Sequence, residues 1–275
     1  MKIKFSNLFL AIIIALSFIT FSCEDQGNEE PTLVELAGVT EHTAQELSGS
    51  LFIGSDVVTY SALIDENQTH QISVSIGGQL LQSQISFGVE ALSLDGHGAQ
   101  LSQQQKSLLL QSAQHLFNYV DGRNVEEEVS FLEYGLIRML EYWSNAPEAY
   151  AYGEVLFTAD LSGEIEAGAR QGNEGITCIR RNTFVNAEYD DARGVHSDRV
   201  RVGSKARQGY DCMGRCGANC GRWWIPSAWT KDCMDHDQCS NVNNSSGGVA
   251  DGNCGDEFTQ AADDYVFGVI RGCRG

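Results

Sequence analysis

The chain has 275 residues, with 37 acidic and 18 basic side chains and a formal net charge of −19. So large an excess of acid argues against nucleic acid as a partner, because phosphate backbones are held by clustered cations. The length accommodates one large domain or two ordinary ones, and the uneven distribution of charge and cysteine favours two.

The N-terminus reads as an export segment, residues 1–23. Lys2 and Lys4 make a basic start, an apolar run covers residues 8–21, and Ser22 and Cys23 follow. The run is too short to span a bilayer with a soluble domain behind it. Cys23 after a small residue looks like the lipidated cysteine of a bacterial lipoprotein. That places the mature chain on the cell envelope, as an outer-membrane lipoprotein or as a secreted protein. Residues 24–31, four of them acidic, form a polar tether.

Residues 32–160 are expected to form an α+β domain with a small antiparallel sheet and a helical hairpin. Val57 to Tyr60 is β-branched and aromatic. The stretches 71–76 and 84–87 alternate polar and apolar residues, the period of a half-buried strand. Gly77-Gly78 fits the hairpin turn between them, and residues 65–68 form a polar turn. His97, within Asp95-Gly-His-Gly98, is placed in a turn. Residues 102–120 carry the stripe Leu108, Leu109, Ala113, Leu116, Phe117, Val120 of an amphipathic helix. A second helix starts from Asn124 as its cap, with Glu126, Glu127 and Glu128 in its first turn, and ends at Pro147. No catalytic or phosphate-binding motif occurs in this half. Its role is left open among a propeptide, an inhibitor and a surface for a protein partner.

Residues 24–160 hold 21 acidic and 3 basic side chains, whereas residues 161–275 hold 16 and 13. Ten basic residues fall between Arg170 and Arg222, able either to approach anionic lipid or to balance the acidic half. Of nine cysteines, all but Cys23 lie in the last hundred residues. The eight are even in number, and in an exported protein they imply disulfides. Residues 161–204, rich in Gly, Asn and Arg, read as a connector tied down by Cys178.

Residues 205–275 carry the chemistry. In Asp232-Cys-Met-Asp-His-Asp-Gln-Cys239 a histidine is followed at once by an aspartate, with cysteines three residues to either side. On a helix over residues 229–241, His236 and Asp237 sit about 100° apart around the axis. Cys233 can pin this helix to the preceding loop and Cys239 to a downstream segment, which pre-organises His236 as a base. Upstream, Cys216-Gly-Ala-Asn-Cys-Gly221 contains residues that tolerate unusual backbone angles and can turn several carbonyl oxygens toward one point. Carbonyls with the Asp237 carboxylate are hard oxygen ligands of the kind Ca²⁺ prefers.

Cys233-x-x-His236-Asp237-x-Cys239 behind a tyrosine, cysteine and glycine loop resembles the secreted phospholipase A2 family, over about residues 205–275. The resemblance implies a mainly α, disulfide-rich domain with two antiparallel helices. It implies that His236 activates water for attack on the sn-2 ester of a phospholipid, and that Asp237 binds Ca²⁺. The loop ligands would be the carbonyls of Arg215, Gly217 and Asn219. It further implies the disulfides Cys216–Cys233 and Cys239–Cys254. A downstream helix over residues 256–269 would carry an aspartate that orients His236. The family places that aspartate directly after the cysteine matching Cys254, where this chain has Gly255. Asp256 is then the candidate, with Asp263 two turns on. Phospholipid or a membrane surface is the implied partner. Trp223, Trp224 and Trp229, between loop and helix, either fill the core or meet lipid.

Two other readings compete. A structural zinc site could use Cys212, Cys216, Cys220, Cys233, His236 and Cys239, provided these cysteines are reduced. A catalytically inactive phospholipase-like scaffold on the cell envelope, binding protein or lipid, is suggested by Gly255.

Overall fold

The computed structural model describes residues 38–53, 55–123, 129–145, 151–157, 175–207, 211–217, 220, 227–244 and 253–275. The export segment with Cys23, the tether, Asn124, Glu126 to Glu128, Pro147, Tyr210, Asn219, Trp223 and Trp224 lie outside the described residues. No helix among the described residues is long and apolar enough to cross a membrane.

The N-terminal half is an antiparallel sheet of seven strands in sequence order. They are β1 (Val39–His42), β2 (Glu46–Ile53), β3 (Asp56–Ile64), β4 (His70–Ile76), β5 (Gln79–Ser86), β6 (Ala91–Gln100) and β7 (Ala151–Phe157). Gly77 and Gly78, with φ of 56° and 78°, make the two-residue turn joining β4 to β5. Alternation then puts Leu47, Val58, Tyr60, Ile72, Val74, Leu81 and Ile85 on the buried face. The outer face is Ser61, Ser73, Gln82, Gln84 and their neighbours. The Asp95-Gly-His-Gly98 segment is a bulge within β6, where the pairing to β7 shifts register between Asp95 and Ala99. His97 (φ 52°) and Gly98 (φ 73°) take the left-handed angles that the bulge requires.

Helices α1 (Gln103–Asp121) and α2 (Phe131–Asn145), between β6 and β7 in the chain, cover the buried face over β2, β3 and β4. Ser102 and Gln105 form a reciprocal capping box at the start of α1. At the start of α2, Ser130 Oγ accepts from the Glu133 N–H (3.3 Å), and Glu133 accepts from the Ser130 N–H (2.7 Å). The Glu133 carboxylate also pairs with Arg123, just beyond α1, and with His42 of β1 (3.1 Å). One buried carboxylate therefore ties edge strand, first helix and second helix together. Gly135 lets α2 lie close on the sheet: a Cβ there would meet Ile85, Ile72 and Phe87 at 3.3 to 3.5 Å.

The C-terminal part adds a hairpin, β8 (Phe184–Asp191) with β9 (Gly194–Arg201), inside the stretch expected to be a connector. It continues with α3 (Lys231–Asn243), α4 (Gly255–Gln260) and α5 (Ala262–Phe267). The single downstream helix expected over 256–269 is two short helices meeting at Ala261, whose ψ of 0° interrupts the helical run. The hairpin is held against α3 by the Glu188 N–H donating to Asp235 (2.9 Å) and by Lys231, whose Nζ reaches the Glu188 carboxylate (3.5 Å). Residues 33–275 form one compact unit. One buried cluster runs from the sheet through Leu136, Leu140 and Trp143 of α2 to Phe258, Tyr265, Val266 and Phe267. Every residue of α2 from Leu136 to Trp143 is buried, because this helix has the sheet on one side and the C-terminal helices on the other.

Glu133→Ala removes the partner of Arg123 and His42 and one helix cap. It should lower stability by about 3 kcal/mol, measured by urea unfolding. A change within error would show that the clamp contributes nothing.

Candidate functional site

Four disulfides shape the C-terminal part: Cys178–Cys273, Cys212–Cys220, Cys216–Cys233 and Cys239–Cys254. The cysteines that a zinc site would need are all oxidised, and Zn²⁺ requires thiolates, so the structure removes the zinc reading. Cys216–Cys233 ties the glycine loop to the first turn of α3. Cys239–Cys254 ties the far half of α3 to the start of α4. His236 and Asp237 lie between these two anchors.

Within α3 the His236 Nδ1 lies 3.6 Å from Asp237 Oδ1. His236 Nε2 is buried and has no hydrogen-bond partner among the described residues, and the ring packs 5.4 Å from that of Phe258. Asp237 Oδ2 accepts from the Gly214 N–H (2.7 Å), which fixes the carboxylate against the loop. Burial pushes the Asp237 carboxyl above the ordinary range, and His236, the Gly214 N–H and Arg215 oppose the shift.

The loop is shaped by glycine where nothing larger fits. Gly214 has φ 90°, and a Cβ on it would lie 2.7 Å from Met234 and 2.8 Å from Ile179. Gly217 has φ 116°, and a Cβ there would lie 2.8 Å from Glu141 Oε1 and 3.3 Å from Arg215 Nη1. The loop's carbonyls alternate in use. Gly214 O accepts from the Thr230 N–H and Cys216 O from the Ser227 hydroxyl. The carbonyls of Arg215 and Gly217 accept no hydrogen bond among the described residues. Among the described residues Asp237 belongs to no group of three His, Cys or acidic side chains close enough to share an ion.

The structure does not bring Asp256 or Asp263 to His236. Asp256 is exposed at the start of α4, and its carboxylate groups with those of Asp190 and Glu257, oxygens lying within 4.8 Å of one another. Asp263 is buried and groups with Asp232 and Asp264. Neither hydrogen-bonds or ion-pairs with the imidazole among the described residues. The ring is placed instead by Asp237, by Phe258 and by the disulfides on either side.

Residues of the other half complete the surroundings. Arg138 of α2 is fully buried and ion-pairs with Glu141. Its Nε donates to the Tyr265 carbonyl (2.8 Å), and its guanidinium lies 5.1 Å from the Tyr265 ring centroid. Glu141 Oε1 rests against Gly217, beside the buried Arg215 guanidinium. Tyr142 stacks on Phe258 with ring centroids 5.0 Å apart, and Phe258 in turn touches His236. Sequence reasoning missed this group. The signal available was Arg138 itself, one of only three basic residues in the acidic half, placed in an otherwise apolar helical stripe with Glu141 one turn on.

A family model described as "Domain of unknown function (DUF8213)" matches residues 174–275. The matched stretch holds all eight disulfide-bonded cysteines and begins within the segment expected to be a connector. Comparison with curated proteins and with solved structures found no match.

The Asp190, Asp256, Glu257 group provides a pH test. Glu257 is buried, accepts from the Asp190 N–H (2.9 Å) and sits beside Asp256. Burial, with Asp256 adding to it, pushes its carboxyl up to about 9 from the ordinary 4.5. A carboxyl harder to ionise in the folded than in the unfolded chain costs stability progressively as pH rises between those values. Glu257→Gln, which keeps the protonated shape, should therefore raise Tm by a few degrees at pH 8 and by almost nothing at pH 4.5. A Tm difference that stays flat with pH would contradict this assignment.

Proposed function

We propose that the C-terminal part is a Ca²⁺-dependent hydrolase of the phospholipid sn-2 ester, carried by a bacterial lipoprotein on the cell envelope. The observation that carries the reading is the meeting of His236 and Asp237 with the Gly214–Gly217 loop under two disulfides. In this reading α3 and the α4–α5 segment are the antiparallel helix pair of a phospholipase A2-like domain. Asp237, with the main-chain oxygens of Arg215, Gly217 and Asn219, would hold the ion. When bound, Ca²⁺ would supply a Lewis acid for the ester carbonyl. His236 takes a proton from the attacking water, and its neutral imidazole is the form that can do so. Asp237 keeps the ring in register through Nδ1, which leaves Nε2 as the nitrogen that receives the proton.

An inactive, lipid- or protein-binding scaffold is the second reading. The observation favouring it is the buried Nε2 of His236, which has no hydrogen-bond partner among the described residues. Fatty-acid release from phosphatidylglycerol and phosphatidylcholine vesicles separates the two. The hydrolase reading expects release that stops with chelator and falls about 100-fold or more in His236→Ala. Equal release by wild type and His236→Ala would leave only the scaffold.

A further inference from the structure

We propose that the outer face of the sheet, opposite α1 and α2, is a binding site for a neutral sugar ring of a glycan. The proposal does not rest on the hydrolase reading, because the sheet and α2 stand between this face and the C-terminal helices. A groove of about 260 Å³ opens on β3, β4, β5 and β6. That volume lies just under the pockets of drug-sized ligands, about 300 Å³ and upward, and suits a single ring. The pairing register builds the floor of the groove. Ser61 stands opposite Ser73, Ser73 opposite Gln82 and Gln82 opposite Asp95, one row across four strands. Gln71 and Gln84 pair in the next row, two residues along. With strands about 4.8 Å apart, the row spans about 14 Å.

The lining selects the ligand. Hydroxyls and amides both donate and accept hydrogen bonds, as the hydroxyls of a sugar do. Among the described residues no cationic side chain lines the groove, so nothing there would hold a phosphate or a carboxylate. Residues 24–160 carry 21 acidic side chains, yet Asp95 is the single acid in this groove, too few to cage a metal ion. The inner strands β3 to β6 have neighbours on both sides, so an extended peptide cannot join them as a further strand. Three of the polar groups are held in place before any ligand arrives. The His97 N–H donates to Asp95 Oδ1 (2.7 Å), its Nδ1 lies 3.2 Å from Asp95 Oδ2, and its Nε2 lies 2.7 Å from Gln82 Oε1. One ring on the β6 bulge thus fixes both side chains, from a φ of 52° that a histidine adopts only at a cost. Gln82 keeps its Nε2 donors, and each Asp95 oxygen a second lone pair, for a ligand. Gln71 Nε2 donates to Asp65 Oδ2 (3.1 Å), on the turn between β3 and β4. Side chains fixed in advance lose little entropy on binding, which distinguishes a built site from a solvated face.

Saturation-transfer NMR on the full chain, with the methyl glycosides of glucose, galactose, mannose and N-acetylglucosamine as probes, tests the site. Transfer to the ring protons of at least one glycoside is expected. Gln71 and Gln82 are exposed, so their substitution leaves the core intact. Gln71→Ala and Gln82→Ala should each weaken binding about tenfold, the loss of one good hydrogen bond. His236→Ala should bind as wild type does, whether or not the C-terminal part is a hydrolase. No transfer from folded wild type to any of the four glycosides would overturn the proposal. So would binding at full strength in both glutamine variants, or binding lost in His236→Ala, which would move the sugar to the other site. Displacement of the glycoside by inorganic phosphate would overturn the assignment of a neutral ligand.

Discussion

The buried pair of Arg138 and Glu141 is the contact on which the arrangement of this molecule depends. Two charges taken out of water must be compensated by their surroundings, and three elements meet them here, while Arg138 Nη2 has no hydrogen-bond partner among the described residues. Glu141 answers Arg138 within α2, the Tyr265 carbonyl answers the guanidinium from α5, and the Gly217 loop closes over the carboxylate. Because α2 also fills the sheet through Leu136, Leu140 and Trp143, its position couples the sheet to the His236 site. The sheet half is thereby given a physical relation to the site that its own motif-free sequence did not suggest.

The site itself is held by covalent and steric constraint more than by helix propensity. Helix α3 is polar along much of its length and would be marginal alone. It is fixed by Cys216–Cys233 and Cys239–Cys254 and by the hairpin bonded to Asp235. The loop before it needs positive φ at Gly214 and Gly217, both in places where a side chain would collide. These constraints act on the same few residues, so the His236–Asp237 geometry is over-determined even without an aspartate behind the imidazole.

The legible parts of the chain were those whose signal is local. Strands β4 and β5 alternate cleanly around a Gly-Gly turn, and α1 carries an uninterrupted stripe, so both could be read directly. Strand β2 could not, because Ser48, Gly49 and Ser50 have little strand propensity; its place is fixed by neighbours, with Gly49 leaving room for the Tyr60 hydroxyl. The β8–β9 hairpin hid behind charged residues that face solvent on one side and α3 on the other. In the site, the adjacency of His236 and Asp237 and the glycine loop are features of sequence spacing. The contribution of Arg138, Glu141 and Tyr142 is not, since Arg138 and Tyr265 are 127 residues apart and meet only through the fold. Spacing did not reveal the surroundings of Asp256, which is exposed at the start of α4 with its carboxylate grouped with those of Asp190 and Glu257.

The central claim is that Asp237 and the loop carbonyls form a calcium site beside His236. Calorimetric titration of the full chain with Ca²⁺, wild type against Asp237→Asn, addresses it most directly. The account requires saturable binding in wild type that disappears in Asp237→Asn while the four disulfides and the fold persist. Binding that is undiminished in Asp237→Asn, or no binding by folded wild type, would contradict it.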